Sequence, residues 1–160
     1  MTFKQAVNAT PNLTGKWKAG LQALRAEDKS HINAANTRAI TGSVDVDTAL
    51  MQIPKHSQAN RWDFAIGYQH ADRKTECIYW VELHTASTSQ VDVVLAKLRW
   101  LVRWLKGDGK ALDKDNFERD FVWVSSGDTH YSLNSSQRRT IADLGLRQTG
   151  SRLMIPKNRG

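Results

Sequence analysis

The stretches Arg61-Trp-Asp-Phe-Ala-Ile-Gly67 and Ile78-Tyr-Trp-Val-Glu-Leu-His84, followed by the amphipathic run Gln90 to Lys106, decide the fold. The first alternates as a strand, with Trp62, Phe64, Ile66 and Tyr68 predicted on one face and Arg61, Asp63, Ala65 and Gly67 on the other. The second reads as a strand from Glu76 or Cys77 to His84. The polar segment Gln69 to Thr75 joins the two as a hairpin with an extended loop. In Gln90 to Lys106, Val91, Val94, Leu95, Leu98, Leu101, Val102 and Leu105 recur at helical spacing, and Gly107 supplies the stop. The hairpin carries carboxylates where strands disfavour them: Asp63 in one run, Glu82 beside His84 in the next. An ionised group removed from water is costly unless paired or metal-bound. Two such intrusions in neighbouring strands point to a site.

Outward from this centre, Leu13, Trp17, Leu21 and Leu24 predict a helix over about Leu13 to Ala26, with Gly15 and Gly20 inside it. Thr37 to Val46 reads as a strand, followed by a brief helical turn through Met51 capped by Asp47 or Thr48. Phe121-Val-Trp-Val124 is a buried strand ended by Ser125-Ser-Gly127. Ser135 or Ser136 caps a helix through Leu144, and Leu153-Met-Ile155 is a short final strand. The order αβββαβα, with that terminal strand, predicts one α/β domain over residues 1–160: a mixed central sheet flanked by helices.

Composition narrows the function classes. The 160 residues carry a net charge of +7, and the excess sits at the two ends of the chain. Thr2 to Ser30 has five Lys or Arg against two acids, Ser135 to Gly160 six against one, and the middle is balanced. Basic ends of this kind attract polyanions, so nucleic acid is the expected partner. Arg138, Arg139, Arg147, Arg152, Lys157 and Arg159 are the phosphate-contact candidates; a solvated basic end is the plain alternative. No apolar run approaches the roughly 18 residues of a membrane span, and the N-terminus lacks a signal-peptide core. The single cysteine, Cys77, excludes an internal disulfide framework, fits a reducing cytoplasm and reads as a small core residue.

Glu82 and His84, two apart on a strand, project from one face, and Asp63 reaches that face from the neighbouring strand. Adjacent carboxylates raise each other's pKa unless a cation lies between them. Mg²⁺ or Mn²⁺ suits such a pair, because a hard cation is held by one or two carboxylates and completed by water and phosphate oxygens. Asp63, eighteen intervening residues, Glu82-Leu83-His84 and the following helix resemble the PD-(D/E)XK nuclease superfamily, and the element order is similar to its restriction-endonuclease-like core. The resemblance implies metal binding by Asp63 and Glu82 and a basic residue, two after the glutamate, that orients or activates water. Trp62 stands where the family has proline, and His84 where it has lysine. Histidine transfers protons near neutrality but is no fixed cation at about pH 8. Lys97 on the helix, or Lys74 in the turn, is the candidate substitute. The expected activity is a metal-dependent phosphodiesterase, endonuclease-like, on DNA or RNA. The alternative is a degenerate module of the same fold that binds nucleic acid or protein without hydrolysis.

Other residues carry competing readings. Asp47 is a candidate third metal ligand, while Asp45 and Asp47 ordinarily form turns and caps. Glu27 and Asp28 are a further acid source or a solvated helix end. Thr85, Ser87, Ser89 and Gln90 fit phosphate binding or capping. Trp100 and Trp104, beside Lys97, Arg99 and Arg103, form a base-stacking face or, more plainly, a packing or homodimer surface. Asp63 and Glu82 could also pair with Arg61 in a purely structural network. His31, His56, His70 and His130 have no zinc spacing.

Overall fold

The computed structural model describes residues 1–113 and 115–156, apart from the side chains of Asp128 and His130; Lys157 and Arg159 lie outside the described residues. The chain begins with α1 (Phe3–Ala9), α2 (Ala26–Lys29), β1 (Ile32–Ala34), β2 (Ile40–Asp45) and α3 (Val46–Met51). The hairpin β3 (Phe64–Tyr68) and β4 (Cys77–Ser87) leads into α4 (Val91–Lys106) and β5 (Glu118–His130). Then come α5 (Ser135–Leu144), β6 (Leu146–Gln148) and β7 (Leu153–Ile155). Five strands form a mixed sheet in the order β2-β3-β4-β5-β6. The first three are antiparallel, while β4, β5 and β6 are parallel, as crossovers through α4 and α5 require. β1 and β7 pair in parallel as a separate ribbon.

Period-two alternation in β4 divides the interior. Ile78, Trp80 and Ala86 join the core beneath α1, α3 and α4. Cys77, Tyr79 and Val81 join a second core on the opposite face, closed by Ile32, Leu153 and Ile155 of the ribbon and by Leu24. The α4 stripe is buried as its spacing predicts, with Val102 packed at its border. Trp100 and Trp104 are also buried, and their rings stack with centroids 5.8 Å apart. They pack the interior of this chain and leave only an edge, 8% and 5% exposed, at the cavity beside Asp108.

Several expectations are corrected. No helix spans Leu13 to Ala26: Asn12, Gly15 and Gly20 take φ values of 68°, 79° and 53°, turning the chain where a right-handed helix cannot follow. Its apolar residues still pack inward, Leu13 buried in the first core with Trp17 half-buried against it and Leu24 buried in the second with Leu21 half-buried against it, so the apparent periodicity comes from two different cores. The leading helix is α1, whose Thr2–Gln5 capping box fixes its start. Thr37–Ala39 is a single 3₁₀ turn before β2. Asp45, rather than Asp47 or Thr48, caps α3, accepting from the Thr48 amide at 2.9 Å. Trp62 precedes the β3 ladder and packs in the first core, whereas Phe64, Ile66 and Tyr68 face the second. β5 continues past Ser125–Gly127 to His130, because β4 and β5 resume pairing beyond an irregularity between His84 and Ala86. Asn134, with Gln137, caps α5 in place of the serines.

Candidate functional site

Phe64 pairs with Val81 across the antiparallel hairpin, so Asp63 and Glu82 stand opposite each other where β3 begins. Both side chains fall on the α4 side of the sheet, by the same alternation that sends Ile78 and Trp80 there. Lys97, nearly two helical turns beyond the start of α4, reaches down to them. Its Nζ donates to Glu82 Oε1 and lies 3.8 Å from Asp63 Oδ1. Asp63 Oδ2 accepts the Leu83 amide at 3.0 Å, which fixes its carboxylate against β4. Glu82 is 0% exposed, and its Oε2 has no hydrogen-bond partner among the described residues.

The electrostatics follow from burial. Loss of water pushes the Glu82 carboxyl well above its ordinary range, and the Asp63 charge pushes it further, against the pull of Lys97. Burial also raises Asp63, opposed by Lys97 and by the Leu83 amide. Lys97 would be lowered by burial, but Glu82 and Asp63 outweigh it and hold the ammonium above its usual value. With both acids ionised, two carboxylates face one ammonium. The pocket therefore favours one more positive charge, either a proton on Glu82 or a bound cation.

The other predicted residues occupy distinct places. His84 donates from Nε2 to Gln90 Oε1 at 2.7 Å, so its ring is tied to the α4 entry. Asp47 is held by Arg61, with Nε to Oδ1 at 2.8 Å, close enough for its charge to raise both Asp63 and Lys97. Arg61 thus binds Asp47 rather than Asp63 or Glu82, and its Nη1 also donates to the carbonyls of His56 and Ser57 at 2.9 and 2.8 Å. That organising role had only one sequence signal, an arginine between two acids. Among the described residues no group of three or more His, Cys, Asp or Glu side chains is placed to hold a metal ion, so a cation here would rest on Asp63 and Glu82.

The polar candidates divide similarly. Asp45 is occupied as a cap, and Glu27 and Asp28 pair with exposed Arg25. Ser87 and Ser89 hydroxyls bond each other at 3.2 Å, and Thr85 is exposed. Lys74 lies in the β3–β4 turn, at the opposite end of the hairpin from Asp63 and Glu82. Arg138, Arg139 and Arg152 are exposed, whereas Arg147 is bonded to Asp120 at 2.6 Å. No helix among the described residues is long and apolar enough to cross a membrane. No family model, curated protein or solved structure matches the chain.

Proposed function

We propose that this chain is a metal-dependent phosphodiesterase of restriction-endonuclease-like fold, acting on DNA or RNA as an endonuclease in the cytoplasm. The observation that carries the reading is the convergence of Lys97 from α4 on the buried Asp63–Glu82 pair. An acid opposite a glutamate on a hairpin, with a lysine beside them, is the charge set that the resembled nucleases use. The strand order, an antiparallel hairpin continued by two parallel crossovers, supports the same fold.

The residues fit Mg²⁺ or Mn²⁺. Both donors are hard carboxylate oxygens, and the unpartnered, fully buried Glu82 Oε2 is an acceptor that calls for a cation or a proton. Asp63 and Glu82 would hold the ion, with water and substrate phosphate as its remaining ligands. When bound, the ion supplies charge stabilisation to the scissile phosphate and acidity to a coordinated water. Lys97, kept protonated by its two acid neighbours, donates to the attacking water or to a non-bridging phosphate oxygen. Its charge offsets the negative charge that develops as the phosphorus is attacked. The Leu83 amide holds Asp63 in place. Arg61 restrains Asp47 at the margin, where a third negative charge raises the site's demand for cations.

Purified protein incubated with plasmid or labelled oligonucleotide should cleave only with Mg²⁺ or Mn²⁺. Asp63→Ala, Glu82→Ala and Lys97→Met should each reduce the rate by roughly a hundredfold or more. His84→Ala should retain most of it, because His84 is tied to Gln90. Cleavage that survives both acid substitutions sinks the mechanism. Salt-sensitive binding without cleavage under any divalent ion would instead establish the degenerate binding module, in which Lys97 simply neutralises Glu82.

A further inference from the structure

The C-terminal end of α4 carries features that the carboxylate site does not use. A cavity of about 390 Å³ opens between the segment before β3 and the last two turns of α4. His56, Trp100 and Trp104 form its inner wall, and Lys55 and Arg103 its rim. A second cavity, of about 470 Å³, lies on the other side of the Gly107–Asp108 turn, with Lys106 and Lys110 at its edge. Four cations therefore surround one acid, Asp108, which is already engaged by Lys55. Basic residues at a helix C-terminus are ordinarily explained by the helix dipole. That explanation does not reach Lys55, which comes from a different segment.

Two buried polar atoms add an independent observation. Trp104 is 5% exposed and His56 8% exposed, yet neither Trp104 Nε1 nor His56 Nε2 has a hydrogen-bond partner among the described residues. Asp108 Oδ2 lies 3.7 Å from His56 Nε2, an ion-pair distance when the ring is protonated, so the Trp104 N–H is the donor left without any partner among the described residues. An unpaired N–H group in a buried wall is costly unless a ligand supplies an acceptor. Lys97, Trp100 and Trp104 follow the i, i+3, i+7 stripe, so this wall continues the same flank of α4 that carries the carboxylate site. Seven residues at 1.5 Å rise place the two about 10 Å apart along the helix.

We propose that the paired cavities at the Gly107–Asp108 turn form a binding subsite for a single-stranded segment of nucleic acid. Lys55, Arg103, Lys106 and Lys110 take its phosphates, and an unpaired base packs against the His56–Trp104 wall, where its ring carbonyls or nitrogens accept from the Trp104 N–H. The subsite rests on the phosphodiesterase reading for its substrate class, and its separation from the carboxylates corresponds to about three stacked nucleotides.

Binding in EDTA separates this proposal from hydrolysis. Fluorescence anisotropy of a labelled oligothymidylate, titrated with salt, should show tight, salt-dependent association by the native protein. Lys55→Ala/Arg103→Ala/Lys106→Ala, all at exposed positions, should bind roughly tenfold more weakly and lower the log–log salt slope by about two. An abasic strand of equal length should bind more weakly than oligothymidylate and quench tryptophan fluorescence less. Trp104→Phe, which removes the N–H while keeping an aromatic ring in the wall, should narrow that difference, with its fold checked by thermal melting because the smaller ring leaves a cavity. Unchanged affinity and slope in the triple variant, equal binding of the abasic strand, or no binding by the native protein would each overturn the subsite. Loss of cleavage alone bears only on the catalytic reading.

Discussion

Glu82→Gln isolates the energetic cost of the buried carboxyl. The native fold raises the Glu82 pKa above its ordinary value of 4.5, chiefly by burial. Above pH 4.5 the unfolded chain releases this proton while the folded chain keeps it, so the folded state binds more protons and stability falls as pH rises. The fall stops when the pH reaches the folded-state pKa. Each pH unit contributes about 1.36 kcal/mol, so from pH 4.5 to pH 7 the cost cannot exceed about 3.4 kcal/mol. Gln reproduces the protonated carboxyl in shape and leaves Lys97 its second acid, Asp63, at 3.8 Å. The variant should therefore match the native protein near pH 4.5 and exceed it increasingly toward neutrality, by up to about 3.4 kcal/mol at pH 7. For a chain of this length that ceiling corresponds to a rise in Tm of roughly 7–14 °C. Urea denaturation in EDTA across pH 4.5 to 8 measures the difference, and the pH at which it levels off reports the folded-state pKa of the coupled pair. A variant less stable than the native protein throughout would refute the argument, because it would show that the ionised Glu82–Lys97 pair is the stabilising form. Adding Mn²⁺ should then stabilise the native protein and not the variant, since only a ligand of the folded state raises stability.

Three further outcomes follow from local structure. Gly42 has a φ of 139° and its missing Cβ would lie 2.0 Å from Trp17 Nε1, so Gly42→Ala should lower stability by about 2 kcal/mol or more in a denaturant titration. Asn134→Ala removes the side-chain half of the α5 capping box and should cost about 1 kcal/mol, read by thermal melting with no change in metal response. Cys77 is buried, and burial pushes its thiol up to about 12, so a thiol reagent should modify it only after denaturation; rapid labelling of the native protein would contradict the packing of β4.

The parts of the fold that were legible in the sequence are those with long, consistent periods. The α4 stripe, sixteen residues with a glycine stop, and the β3–β4 hairpin both emerge from spacing, and with them the position of Asp63 opposite Glu82. Elements of three residues, β1 and β6, have no period to read, and β1 is defined only by its partner β7, about 120 residues later. The Leu13 to Ala26 error has a similar origin. Leu13 and Leu24 satisfy helical spacing, but each belongs to a different core, and spacing carries no information about which core a residue enters.

The basic partner of the carboxylates shows the same limit at the scale of one side chain. Sequence spacing looks for it two residues after Glu82, where a strand returns to the same face, and finds His84. The structure ties that ring to Gln90, at the point where β4 and β5 lose regular register. The ammonium comes instead from Lys97, at a position off the apolar stripe of α4, whose long side chain descends between Asp63 and Glu82. A strand-borne lysine and a helix-borne lysine can place the same charge at the same point. Only the packing of α4 across the β3–β4 hairpin distinguishes them. The charge is also better suited than histidine to that point: the two acids raise the Lys97 pKa, so it remains a cation across the pH range in which histidine loses its proton. Substituting His84 therefore tests the α4 entry, whereas substituting Lys97 tests the chemistry.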